Sequence, residues 1–90
     1  MQQLRMKITE IDREIAKLFN ERFKVVKEIK EYKKLHNLPI TDKEREKALL
    51  KENLKYIDEE FSQFFIIFYD ALMNISKEYQ KWNMDYLALI

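Results

Sequence analysis

The ninety residues contain no glycine and a single proline, Pro39. Average usage would place roughly six glycines in a chain of this length. Glycine supplies positive φ to tight turns, hairpins and phosphate-cradling loops, and proline breaks regular structure. A chain that lacks the first and nearly lacks the second has few turns to make, so it is expected to be almost wholly helical. Hairpins and nucleotide-binding fingerprints are disfavoured on the same ground.

Apolar spacing divides the chain into helices. Leu4, Ile8, Ile11, Ile15, Leu18, Val25, Ile29 and Tyr32 follow steps of three and four, with an arginine in the place at 22. That pattern predicts one amphipathic helix of about 32 residues, roughly 48 Å long at 1.5 Å per residue. The remaining residues are too few to cover such a rod, and a second copy of the same chain is the nearest source of apolar surface. A homodimer is therefore expected. HNLPI, residues 36–40, reads as a linker, and a short second helix is expected from about Thr41 to Leu54. Thr41 with Glu44 matches a capping box at its start. After a turn near Tyr56, Ile57 and Asp58, a third helix carries Phe61, Phe64, Phe65, Phe68, Leu72, Ile75 and Tyr79 at helical spacing. Residues 1–90 read as one small all-α domain of three helices.

Charge and composition exclude several classes of function. With 17 basic and 16 acidic residues, no net field draws the chain to nucleic acid or to an anionic membrane. No apolar run approaches the ~20 residues of a membrane span. MQQLRMKITEID lacks the apolar stretch of a signal peptide, so a cytoplasmic location is expected. There is no cysteine and only one histidine, which removes thiolate chemistry and argues against a zinc site.

What remains is an unusual set of polar side chains on helical faces. Arg22 interrupts the apolar seam of the first helix. Lys33 lies eleven residues on, only ~20° off the same face and about 16 Å along the axis. Two inward cations are costly unless something anionic meets them. Either Arg22 pairs with an internal carboxylate such as Glu46 while Lys33 reaches solvent near the helix end, or both await an anionic ligand. In PITDKERE, residues 39–46, Asp42, Arg45 and Glu46 share one face that continues into Leu49 and Leu50. Ser76 and Gln80 stand one turn apart on the face of Phe65 and Leu72. Lys77 between them reads as a solvated neighbour, and His36 as a helix-end residue. The tail QKWNMDYLALI, residues 80–90, is apolar enough to pack on the bundle or to dock a partner enzyme.

The ordered set LRMKITEIDREIAKLFNER, then Lys33, PITDKERE and SKEYQ resembles the all-helical chorismate mutase family over roughly residues 4–80. That resemblance implies three-helix chains in intertwined dimers, the long first helices pairing, with two sites that each borrow an arginine from the partner. It implies conversion of chorismate to prephenate, toward phenylalanine and tyrosine, with no cofactor and no metal. By position, Arg22 would bind a substrate carboxylate and Arg5 would reach in from the other subunit. Lys33 and Gln80 would donate to the ether oxygen. Glu46, with Asp42 nearby, would hold the ring hydroxyl, and Arg45 and Ser76 would complete the shell. An isochorismate-pyruvate lyase of similar fold, and a non-catalytic helical dimerisation module, are the alternatives.

Overall fold

The structure, a computed structural model, describes residues 1–82. Helix α1 runs over Gln2–Leu35, α2 over Lys43–Leu54 and α3 over Ser62–Lys81, with a 3-10 turn at Glu59–Phe61. Described residues form no strand. The expected all-α, three-helix architecture is what the chain adopts. The tail's expected packing or docking concerns residues that lie mostly outside those described.

Without glycine, the end of α1 needs another residue that tolerates positive φ. Asn37 fills that place at φ 53°, the left-handed region that asparagine enters more readily than most. Leu38 N–H then donates to the Lys33 carbonyl at 2.8 Å and Asn37 N–H to the Lys34 carbonyl at 3.5 Å. This is the paired bonding of a Schellman end. It turns the chain back so that the linker passes the last turn of α1.

The start of α2 departs from the expected cap. Asp42, not Thr41, is the N-cap: its backbone is extended at φ −132° and its carboxylate accepts from Arg45 N–H at 3.1 Å. Aspartate caps as well as threonine does. Glu44 and Glu46 then occupy the first turn, where the helix dipole favours acids.

Helix α3 packs against both other helices. Its inner face carries Phe65, Tyr69, Leu72, Ser76 and Gln80. Tyr69 is 8% exposed and Ser76 5%. The Tyr69 ring stacks on Phe65, and its hydroxyl accepts from Asn53 of α2 at 3.3 Å. From α1, Val26 is buried and Phe23 meets Tyr79 edge-on. Lys30 lies over the Tyr79 ring and donates to the Trp82 carbonyl.

This core uses only one short stretch of α1. Every residue from Met1 to Glu21 is exposed, and so is the whole apolar seam from Leu4 to Tyr32. Phe61 of the 3-10 turn and Phe64, Phe68 and Ile75 of α3 are open as well. The radius of gyration is 16.1 Å, against ~12 Å for a compact chain of this length. Leu4, Ile8, Ile11, Ile15 and Leu18 each leave more than half their surface in water. At 1.5–3 kcal/mol for fully burying such a side chain, covering these five would contribute about 5 kcal/mol per chain. That is comparable to the whole stability of a small domain.

Candidate active site

Arg22 and Lys33 both lie on the side of α1 that meets the other elements, and both are half-buried. Arg22 Nη1 donates to Ser76 Oγ at 2.5 Å, and that hydroxyl donates onward to the Leu72 carbonyl at 2.7 Å. The serine is thereby fixed as an acceptor, and one of the guanidinium's five N–H donors is used. Lys33 Nζ donates to the Ile40 carbonyl at 2.8 Å, a contact made possible by the turned-back linker. Both partners are neutral. The ion pairs among the described residues include neither cation.

The internal pairing of Arg22 with Glu46 is not what the chain adopts. Glu46 Oε1 instead receives Lys77 Nζ at 2.8 Å. Lys77 is not a solvated neighbour: its side chain is 24% exposed and that of Glu46 23%. Residue 77 is only 100° from Ser76 around α3, and α2 packs on the side to which it points. Nor does Lys33 run free to solvent.

Gln80 is half-buried on the same face as Ser76. Its Nε2 donates to the Ser76 carbonyl at 3.3 Å, while its Oε1 is buried with no hydrogen-bond partner among the described residues. An unsatisfied buried acceptor costs about 1–3 kcal/mol. A flipped amide would set Oε1 against a carbonyl oxygen, so the bond to Ser76 determines the orientation. In this state the amide faces its own helix, and serving a ligand requires it to turn.

Asp42 and Arg45 are exposed at the start of α2 and are joined to each other through the cap. They stand one turn or less from Glu46, at the edge of the cluster. Arg5 is not brought in. It sits on the uncovered half of α1, 17 residues or about 25 Å along the axis from Arg22. His36 is the residue after α1 and packs its ring on Tyr32. One chain thus gathers Arg22, Ser76 and Gln80 along α3, Glu46 with Lys77 between α2 and α3, and Lys33 at the linker. Lys77 is the member that sequence reasoning set aside. Its signal was the four-residue repeat 69, 73, 77 beside the inner face, legible only once α2 has been placed.

The family model for chorismate mutase type II matches residues 4–81, nearly the whole described chain. The chain belongs to the chorismate mutase type II family. Two relatives show the range of proteins in which such a unit occurs. The bifunctional chorismate mutase/prephenate dehydratase of Aquifex aeolicus (strain VF5) is 38% identical over 78 residues, covering 87% of this chain and 21% of that one. The monofunctional chorismate mutase of Enterobacter agglomerans is 35% identical over 77 residues, covering 82% of this chain and 42% of that one. The chain therefore spans less than half the length of either curated relative. No solved structure matches significantly. Among the described residues, no ion pair reaches either of the half-buried cations Arg22 and Lys33 on α1. No described helix is long and apolar enough to cross a membrane.

Proposed function

We propose that this chain is a chorismate mutase, a cytoplasmic homodimer that isomerises chorismate to prephenate in the supply of phenylalanine and tyrosine. The observation that carries the reading is that Arg22 and Lys33 are half-buried and, among the described residues, bonded only to neutral oxygens. A partly desolvated cation is compensated only when an anion reaches it, and chorismate brings two carboxylates.

The rearrangement is concerted. The ether C–O bond breaks as a C–C bond forms between the enolpyruvyl methylene and the ring, and nothing is added or lost. Neither nucleophile nor general base is required, which suits a cluster without thiol or imidazole. The protein holds the enolpyruvyl arm over the ring and meets the negative charge that develops on the ether oxygen. Arg22 takes a carboxylate with its remaining N–H donors. Lys33 has two N–H donors beyond the one on Ile40, and Gln80 turns its Nε2 from the Ser76 carbonyl toward the ether oxygen. Glu46 accepts from the ring hydroxyl, with Asp42 beside it. Arg45 and Ser76 close the shell, Ser76 by holding Arg22. Arg5 enters from the second copy, because ~25 Å separates it from its own chain's Arg22. That copy covers the open seam of α1.

Purified protein added to chorismate tests the reading: the ultraviolet absorbance of chorismate is expected to fall and prephenate to appear. Pyruvate released from isochorismate, without turnover of chorismate, would mark a lyase. No turnover of either substrate by a folded dimer would leave an interaction module. Because Gln80 donates from an amide, with no proton to gain or lose, kcat is expected to be nearly flat across neutral pH. A pH–rate profile that falls steeply through neutrality would remove Gln80 from its role.

A further inference from the structure

We infer that Lys77 is a positioning residue for Glu46: it holds one carboxylate oxygen and leaves the other to accept from the ring hydroxyl of the substrate. The inference rests on the chorismate reading above. Three other ion pairs occur among the described residues, Lys17–Glu14, Lys55–Glu52 and Lys81–Glu78. Each joins residues three apart within a helix or at its end, with both side chains more than half exposed. Such pairs contribute little. Lys77–Glu46 differs in both respects, since it joins α3 to α2 and both side chains are about three-quarters covered.

A glutamate has three side-chain torsions, and one at the edge of a core gains by swinging its charge to water. The 2.8 Å contact through Oε1 opposes that motion and selects the rotamer that faces α3. Residue 77 directly follows Ser76, which receives Arg22. One turn of α3 therefore sets both the cation contributed by α1 and the acid contributed by α2. The lysine also offsets the charge of Glu46. An unpaired carboxylate beside a dicarboxylate substrate would repel it; with Lys77 in contact, Glu46 offers an acceptor while the excess positive charge of Arg22 and Lys33 remains for the substrate.

The test compares kcat/KM of Lys77→Met with the unaltered protein, on chorismate and on a chorismate analogue lacking the ring hydroxyl. Lys77→Met is expected to lose roughly tenfold on chorismate, chiefly in KM, and less than about twofold on the analogue. Lys77→Arg is expected to recover most of the loss. An equal loss on both substrates would make Lys77 a mere tether between helices, and no loss on chorismate would make it irrelevant. Either result overturns the inference while the chorismate reading stands. Failure of the unaltered protein to turn over chorismate overturns both. Should Lys77→Met lose its helical circular dichroism, Lys77→Gln carries the comparison, since it removes the charge held against Glu46 and keeps a polar side chain on that face. An unchanged ratio between the two substrates in that variant overturns the inference.

Discussion

Lys33→Ala is expected to lower kcat by roughly a hundredfold or more, the scale on which removal of one preorganised donor to a developing anion is felt. Lys33 sits in the last turn of α1, where its own carbonyl accepts from Leu38 N–H and its Nζ donates to the Ile40 carbonyl. Both contacts come from the same turned-back linker, so the ammonium is presented from a fixed place at little further cost on reaction. Ile40 contributes a neutral oxygen, and no ion pair among the described residues reaches the lysine. Loss of one such hydrogen bond from a charged donor would cost about 1.5–3 kcal/mol of stability. The alanine variant should therefore melt below the unaltered protein yet stay folded, while turning over far more slowly. Initial rates at saturating chorismate, beside thermal unfolding followed by circular dichroism, separate the two effects. A folded variant with full kcat would be fatal to the assignment of Lys33.

Much of this arrangement could be read from residue order, and the misreadings share a cause. The alternation of threes and fours from Leu4 to Tyr32 gave α1 nearly to its ends, because helical periodicity is a local property. The face holding Phe65, Leu72, Ser76 and Gln80 was likewise visible, and so was the break at residues 36–40. Tyr69 was missed because the apolar stripe runs through Phe64, Phe68, Leu72 and Ile75, and three of those four are open in this chain. Thr41 and Asp42 are both good caps, and only the path of the chain out of Pro39 and Ile40 decides between them. Lys77 was misassigned for a tertiary reason: its neighbours in sequence are polar, and its partner Glu46 comes from another helix. No local pattern states that α2 packs on α3 from that side. Local periodicity sets the faces; pairing across helices is set by how the helices pack.

Ile11→Glu tests the largest uncovered surface. In a single chain Ile11 is 54% exposed and lies in the stretch of α1, Met1 to Glu21, in which every residue is exposed. A lone chain should tolerate the glutamate, since substitutions at such surface positions usually stay within about ±0.5 kcal/mol. In a dimer whose long helices pair, the same glutamate meets its own copy or a facing apolar side chain, and an unpaired buried charge costs several kcal/mol. The expected outcome is a halved mass in sedimentation equilibrium, loss of helical signal and loss of chorismate turnover together. An unchanged mass would show that this seam is not the interface. Mixing then tests what the second copy contributes. Arg5→Ala and Arg22→Ala should each be inactive alone. Refolded together, they should regain roughly a quarter of the normal activity, since half the dimers are mixed and each of those has one site with both arginines. If the mixture stays inactive while mixed dimers form, Arg5 takes no part in the site, because its own chain holds it ~25 Å from Arg22.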